Sequence, residues 1–346
     1  MAAHKHKNNS SITRNDVARK AGVSSATVSR VFNAPKTVGR EKREAVTAAA
    51  EELGYRPNKS ASALRRNGTG IISLVEFKKP DRSYYWGDLP NLSWFYADIV
   101  RGITEKLDNT MYSLNIETVH SEESLKHAAE ISDGLICYDV DMPAEAEAVK
   151  KLAIPYILAH HTREFTGYHR CSTDNFLGGS LQARELFTKG STKPVYITGL
   201  LEEVIPHKRR LEGFIDYYRA KDGGKPTVIN CSPGRDGGES VADEVAQMLK
   251  TGSCDGIAAV NDVTLIGVLK VLFSKYSNIW EKELPLCGYD AVPFRDLLPY
   301  TFSSVDVLPR ALYARAAEIL VNKLVSPNQD SKEVCEVVTP SFSPST

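Results

Sequence analysis

From Ile71 onward, eight short apolar runs alternate with amphipathic stretches of helical period, and this alternation restricts the fold more than any other feature of the chain. Short apolar runs bounded by helical segments are the mark of strands buried on both faces, with the helices supplying the cover, so the pattern predicts an α/β body with parallel sheets. The expected strands are 71–77, 112–117, 134–138, 155–159, 195–198, 227–230, 256–260 and 284–288. The expected helices are 94–107, 122–131, 144–152, 177–188, 207–220, 239–250, 263–276 and 309–325. Eight alternations exceed one comfortable doubly wound sheet, which favours two lobes with a cleft between them.

The first segment has a different texture. Thr13 followed by Asp16 forms a capping pair before a helix with Val17, Ala18 and Ala21 on one face, and Gly22 stops it. Ser24 caps a second helix running through Val28 and Val31 to Asn33, so a tight turn separates two helices. A third helix, 40–53, carries Val46, Ala49, Ala50 and Leu53 at helical spacing and stops at Gly54. This is an all-α helix-turn-helix head, in which the second helix presents Ser25, Ala26, Ser29 and Arg30. Two readings stay open on spacing alone: a major-groove reader, or a plain three-helix packing unit.

Charge bears on that choice. Residues 1–66 hold 14 Lys/Arg against 5 Asp/Glu, and the remainder holds 29 against 38, so a basic head sits on an acidic body although the whole chain is neutral. The asymmetry favours nucleic acid as the partner of the head. Arg30 suits a guanine edge or a phosphate, Thr27 and Ser29 reach phosphates, and Ala26 suits a thymine methyl. Leu64, among Lys59, Arg65 and Arg66, is either a minor-groove wedge or a leucine sealing a domain seam.

Six scattered cysteines without a CxxC pair disfavour a zinc site or disulfide scaffold and fit a reducing cytoplasm. Met1–Ser11 is basic and polar, read as a flexible arm, and no apolar run approaches a membrane span. No enzyme signature emerges. Gly68-Thr-Gly70 precedes a strand instead of following one, Walker and Gly-x-Ser-x-Gly motifs are missing, and adjacent His160 and His161 on a strand point to opposite faces. No catalytic residue, cofactor or metal is therefore expected.

Ligands of parallel sheets bind outside the carboxyl ends of the strands. Those ends carry Glu76, Tyr138, Asp139, His160, Asn261 and Asp290, with Trp86 and Trp94 available to stack on a sugar face. Asn261 is equally suited to cap the helix that begins at Asp262, and His160 and Tyr138 suit structural roles as well.

The run ITRNDVARKAGVSSATVSRVFN (12–33), then LGYRPN (53–58) and ASAL (61–64), resembles the DNA-reading head of the lactose-repressor/galactose-repressor family of bacterial transcription regulators. A weaker likeness continues through STDN (172–175), RLEGF (210–214), VND (260–262) and GYD (288–290). The resemblance implies a cytoplasmic homodimer whose heads bind a near-palindromic operator through Thr13, Ser24, Ser25, Ala26, Thr27, Ser29, Arg30, Asn33, Tyr55, Asn58, Ala61 and Leu64. It implies a body like a type I periplasmic sugar-binding protein, with Arg210, Asn261 and Asp290 holding the effector beside Glu76, Tyr138 and His160.

The domain map that follows is a basic arm 1–11, a head 12–57, a hinge helix 58–69 and a two-lobed body 70–346. Lobe one is expected at 70–158 plus 306–326. Lobe two is expected at 160–303 plus 330–346, including a last strand near 334–338. The function implied is a repressor released by a sugar, with a galactoside as one candidate. A purine-type corepressor is the alternative, and a sugar-binding protein without DNA affinity the remoter one. Gly39 in place of a capping serine, Leu265 in place of a small residue, and Asp306 with Leu312 depart from the family pattern.

Overall fold

The computed structural model describes residues 12–33, 37–55, 68–78, 93–108, 110–152, 154–161, 163–221, 223–276, 284–326 and 333–345. In the head, α1 (Arg14–Lys20) opens with the capping box read from the sequence. The Thr13 side chain accepts from the Asp16 amide, and the Asp16 carboxylate accepts the Thr13 amide at 2.9 Å. Ser24 Oγ accepts the Thr27 amide at 3.1 Å to start α2 (Ser25–Asn33). Gly39 gives α3 (Arg40–Leu53) no side-chain cap, and Gly54 ends it in the left-handed region at φ 64°. Val17, Val28, Val31, Val46, Ala49 and Ala50 close a small core that all three helices share.

The body begins with β1 (Ile71–Phe77), α4 (Ser93–Leu107), β2 (Ser113–Val119), α5 (Glu122–Glu130), β3 (Gly134–Tyr138), α6 (Pro143–Lys150), β4 (Tyr156–Ala159) and β5 (Arg170–Thr173). Next come α7 (Asn175–Thr188), β6 (Pro194–Thr198), α8 (Ile205–Ala220), β7 (Thr227–Asn230), α9 (Arg235–Thr251), β8 (Gly256–Ala259), α10 (Asp262–Lys275), β9 (Leu286–Tyr289) and β10 (Ser303–Asp306). The chain then runs through α11 (Pro309–Val325), β11 (Cys335–Val338) and β12 (Ser341–Ser343).

Two six-stranded sheets result, ordered β11-β5-β4-β3-β1-β2 and β12-β10-β9-β8-β6-β7. All pairings are parallel except β10 with β12. Each sheet is covered on both faces. The first carries α4 and α11 on one side and α5 and α6 on the other, and the second carries α9 and α10 opposite α7 and α8. The expected two-lobed body is thus present, and central strands such as β3, β4 and β8 are buried throughout.

The lobe boundaries differ from expectation. β5 and β11 belong to the first sheet, not the second: Leu158 pairs with Arg170, and Cys335 to Val338 pair with Arg170 to Thr173. The first crossover therefore falls at Asp174, and the segment after β4 stays in lobe one because Phe165 and Tyr168 are buried in that lobe's core. Among the described residues, lobe one takes those within 71–173 and 309–338, and lobe two those within 175–306 and 341–343. Sequence patterning misplaces these strands for a physical reason. β5 reads Arg-Cys-Ser-Thr with one buried residue, and β11 is an edge strand of alternating exposed and half-buried positions, so neither forms an apolar run.

Close helix packing fixes α8, the helix that carries Arg210. A Cβ added at Gly179 of α7 meets the Arg210 carbonyl at 1.8 Å, so the two backbones touch where glycine stands. Because the clashing atom is backbone, relief requires moving the whole helix. Gly179→Ala is expected to destabilise the body by about 1–3 kcal/mol, the usual scale of overpacking, as measured by urea unfolding.

Candidate functional site: a cleft between two lobes and an exposed recognition helix

The carboxyl ends of the strands are where the backbone leaves the allowed range. Asp139 after β3, His160 after β4 and Asp290 after β9 have φ of 58°, 53° and 101°. Left-handed backbone disfavours a side chain with a Cβ by roughly 1–2 kcal/mol, and such residues cluster where function fixes them. These are three positions that sequence reasoning had selected.

Arg210 lies in the second turn of α8 and is buried. Its Nε donates to Asn175 Oδ1 at 2.9 Å and its Nη1 to the Val260 carbonyl at 2.7 Å, while the guanidinium lies 3.6 Å from the centre of the Tyr289 ring. Asp290 Oδ1 is 3.9 Å from Nη1, a looser contact than a paired salt bridge. Burial pushes the Asp290 carboxyl up to about 7 against the opposing pull of Arg210, with Asp306 adding to the rise. Behind it, Asp262 accepts Ser304 Oγ at 2.7 Å and the Val292 amide at 2.8 Å, and burial together with Asp290 pushes it up to about 8. Asn261 is the N-cap of α10 and accepts the Thr264 amide at 2.8 Å, so the capping role is present.

From lobe one, the His160 ring stacks on Tyr138 at 5.8 Å and meets Phe95 edge-on at 5.0 Å. Burial, then Arg210, holds His160 down at about 4, so it is neutral. Tyr138 itself is buried behind His160 and packs towards Tyr313. Glu76 is half-buried on β1, its charge felt by Tyr96 of α4.

A cleft joins the two sides, lined by Phe95, His160, His161, Ser172, Thr173, Asn175, Pro206, Arg210, Val307, Pro309 and Leu312. Of the six expected effector residues, His160 and Arg210 line it directly. Asp290 stands beside Arg210, Tyr138 backs His160, Asn261 caps α10, and Glu76 lies at the end of β1. The sequence missed Phe95, Thr173, Pro206 and the crossover residues Val307 and Pro309, because only the lobe crossovers bring them together. Trp94 is partly buried and packs against the cores of both lobes, while Trp86 lies outside the described residues.

On the head, Ala26 and Arg30 are exposed on the outer face of α2, opposite buried Val28 and Val31. Ser25 accepts from Arg14 Nε at 2.7 Å and Ser24 shares a hydrogen bond with Thr27, which locks the start of the helix. Thr13 is exposed at its capping box and Ser29 is half-exposed beside Arg30. The Tyr55 ring lies 5.9 Å from that of Phe32, on the head's core side. Asn33 ends α2, and Asn58, Ala61 and Leu64 lie outside the described residues. Among the described residues no helix is long and apolar enough to cross a membrane, and no group of three metal-ligating side chains is gathered.

A helix-turn-helix head joined to two parallel-sheet lobes, like those of a periplasmic binding protein, defines a DNA-binding regulator. Residues 13–58 match the family of bacterial regulatory proteins, lacI family. The ribose operon repressor of Escherichia coli strain K12 is 26% identical over 333 residues, covering 91% of this chain and 94% of its own length. The transcriptional regulator CelR in complex with cellobiose superposes with a TM-score of 0.65 at 22% identity, over 96% of this chain and 99% of that one. The lac repressor dimer bound to operator and the anti-inducer ONPF gives 0.61 at 22% identity, over 97% and 98%. The chain thus carries a lacI-family head, and the relatives it resembles over most of its length are regulators.

The buried carboxyls give the body a pH signature. Asp262 and Asp290 keep protons in the fold that an unfolded chain releases near pH 4, so their contribution is full at low pH and is lost as pH rises through about 7 to 8. His160 and His207, held down at about 4 and about 3, act oppositely, and their contribution is lost as pH falls below about 6.5. The two effects offset one another below pH ~6.5, leaving the carboxyls alone above it. Thermal melts are expected to show stability falling from pH ~6.5 to ~8, by up to about 1.4 kcal/mol per unit for each carboxyl. Asp262→Asn, whose amide can donate to Ser304 and accept from Val292, should flatten that slope.

Proposed function

We propose that this regulator is a repressor that grips a near-palindromic operator as a homodimer and releases it when a small sugar occupies the cleft. Relatives named for ribose and for cellobiose support a sugar. The observation that carries the reading is the cleft itself, with Arg210 from lobe two and His160 from lobe one facing one space. A ligand there contacts both lobes at once, and stronger contact in one lobe arrangement shifts the equilibrium towards it. Hydroxyl and amide groups at Ser172, Thr173 and Asn175 and the ring edges of Phe95 and His160 suit a molecule with polar rims and an apolar face. A coupling of about 1–3 kcal/mol gives roughly 5- to 150-fold regulation.

The DNA side rests on α2, whose Ala26 and Arg30 carry no core duty. Leu64 is assigned to the operator centre by the family pattern alone. Selection of bound sequences from random duplex DNA, repeated with ribose, cellobiose, a galactoside and a purine base, tests recognition and switching together. On a selected site, Arg30→Ala is expected to weaken binding by about 1–3 kcal/mol, the scale of one lost base contact, and Leu64→Ala to weaken it too. Asp290→Ala should still bind DNA and no longer respond to ligand. A gel shift in which Asp290→Ala responds like the unaltered protein counts against the cleft as the effector site.

A further inference from the structure

Four buried polar atoms lack a hydrogen-bond partner among the described residues: Trp94 Nε1, His161 Nε2, Thr198 Oγ1 and His207 Nε2. All four belong to the cleft side of the body. Thr198 ends β6, His161 follows β4, and Trp94 and His207 stand in the first turns of α4 and α8. His161 lines the cleft, and His207 lies between the lining residues Pro206 and Arg210 in sequence.

The two imidazoles carry the most information, because their tautomers are fixed. His161 Nδ1 is 2.6 Å from the Arg163 carbonyl, and His207 Nδ1 is 2.9 Å from the Gly199 carbonyl. A carbonyl oxygen only accepts, so each Nδ1 holds the hydrogen and each Nε2 of a neutral ring is a bare lone pair. Both rings are held neutral, chiefly by burial, with Arg170 acting on His161 and Arg210 on His207 in the same direction. A buried acceptor left without a donor is unfavourable, and a ligand that brings a donor removes the penalty.

An anionic ligand brings oxygen lone pairs to the same place. It would also meet the carboxyl of Asp290 beside Arg210, whose Nε and Nη1 already donate to Asn175 and the Val260 carbonyl. We propose that His161 and His207 accept hydroxyl hydrogens of the effector, one from each lobe, so that the cleft selects an uncharged polyhydroxylated sugar over a sugar phosphate or a sugar acid. The proposal rests on the cleft being the effector site, and it names the class of ligand and the two residues that set it.

The test is calorimetry of the full chain with D-ribose, D-galactose, D-glucose and cellobiose, beside D-ribose 5-phosphate, D-galactose 1-phosphate and D-galacturonate. A neutral sugar is expected to bind about ten-fold or more tightly than its charged counterpart. For the sugar that binds, His161→Phe should lose about ten-fold in affinity, and His161→Gln, which restores an acceptor, should recover most of it. His207→Gln serves on the second lobe, where a bulky apolar replacement risks the fold, and circular-dichroism melts establish that each variant is folded. A deoxy analogue of the same sugar closes the cycle: deleting the hydroxyl that His161 accepts costs affinity in the unaltered protein and nothing further in His161→Phe.

Tighter binding of a charged derivative overturns the proposal while leaving the cleft as the effector site. Wild-type affinity in folded His161→Phe does the same. Failure of every compound to bind removes both the proposal and the cleft reading on which it rests.

Discussion

The Arg210 guanidinium is the charge around which lobe two's half of the cleft is arranged. A buried cation without compensation costs several kcal/mol, so its neighbours are constrained together. The Val260 carbonyl beyond β8, Asn175 at the start of α7, and Tyr289 and Asp290 at the end of β9 all converge on it. Three elements distant in sequence are thereby held at one point. Gly179 and Gly213 let α8 approach α7 closely enough for the contact, since a side chain at either would strike the facing backbone.

The same region accepts other unfavourable features. Asp139, His160 and Asp290 adopt left-handed backbone, and Asp262 is a carboxyl with no exposed surface. Such costs persist only where the surroundings over-determine the conformation. Here the dry faces of the two sheets do so. Gln182, wholly buried, donates to the Ala259 and Gly288 carbonyls at 2.8 and 2.9 Å and ties the ends of β8 and β9 together beneath the site.

Much of this was legible in the sequence where one local rule sufficed. The capping box at Thr13, the stop at Gly54, the cap at Asn261 and α11 at Pro309–Val325 each follow from periodicity or capping chemistry confined to a few residues. Lobe membership was not local. The Arg170–Thr173 strand is short and polar, and only its pairing with Leu158 and Val338 assigns it to lobe one. Nor were Thr173, Val307 and Pro309 legible as cleft residues, because they meet only where the chain passes between lobes. Strand alternation predicts that His161 faces away from His160, yet both line the cleft; the significance of His161 lies in which nitrogen carries the hydrogen, and that depends on the carbonyl of Arg163.

The distribution of apolar surface limits how the lobes can move relative to one another. Tyr289, Val305 and Phe342, from the second sheet and its edge, pack into the same core as Leu312, Tyr313 and Ala316 of α11, so an apolar seam runs beside the crossovers. On the cleft side, polar groups and the bare imidazole acceptor of His161 line the gap instead. Separating the seam would expose apolar area at roughly 25 cal/mol per Å², whereas rotating about it leaves that area covered. The least costly relative motion therefore pivots on the seam and opens or closes the cleft. Because such a motion disturbs little packing, a few hydrogen bonds made in one arrangement and not the other are enough to decide between them.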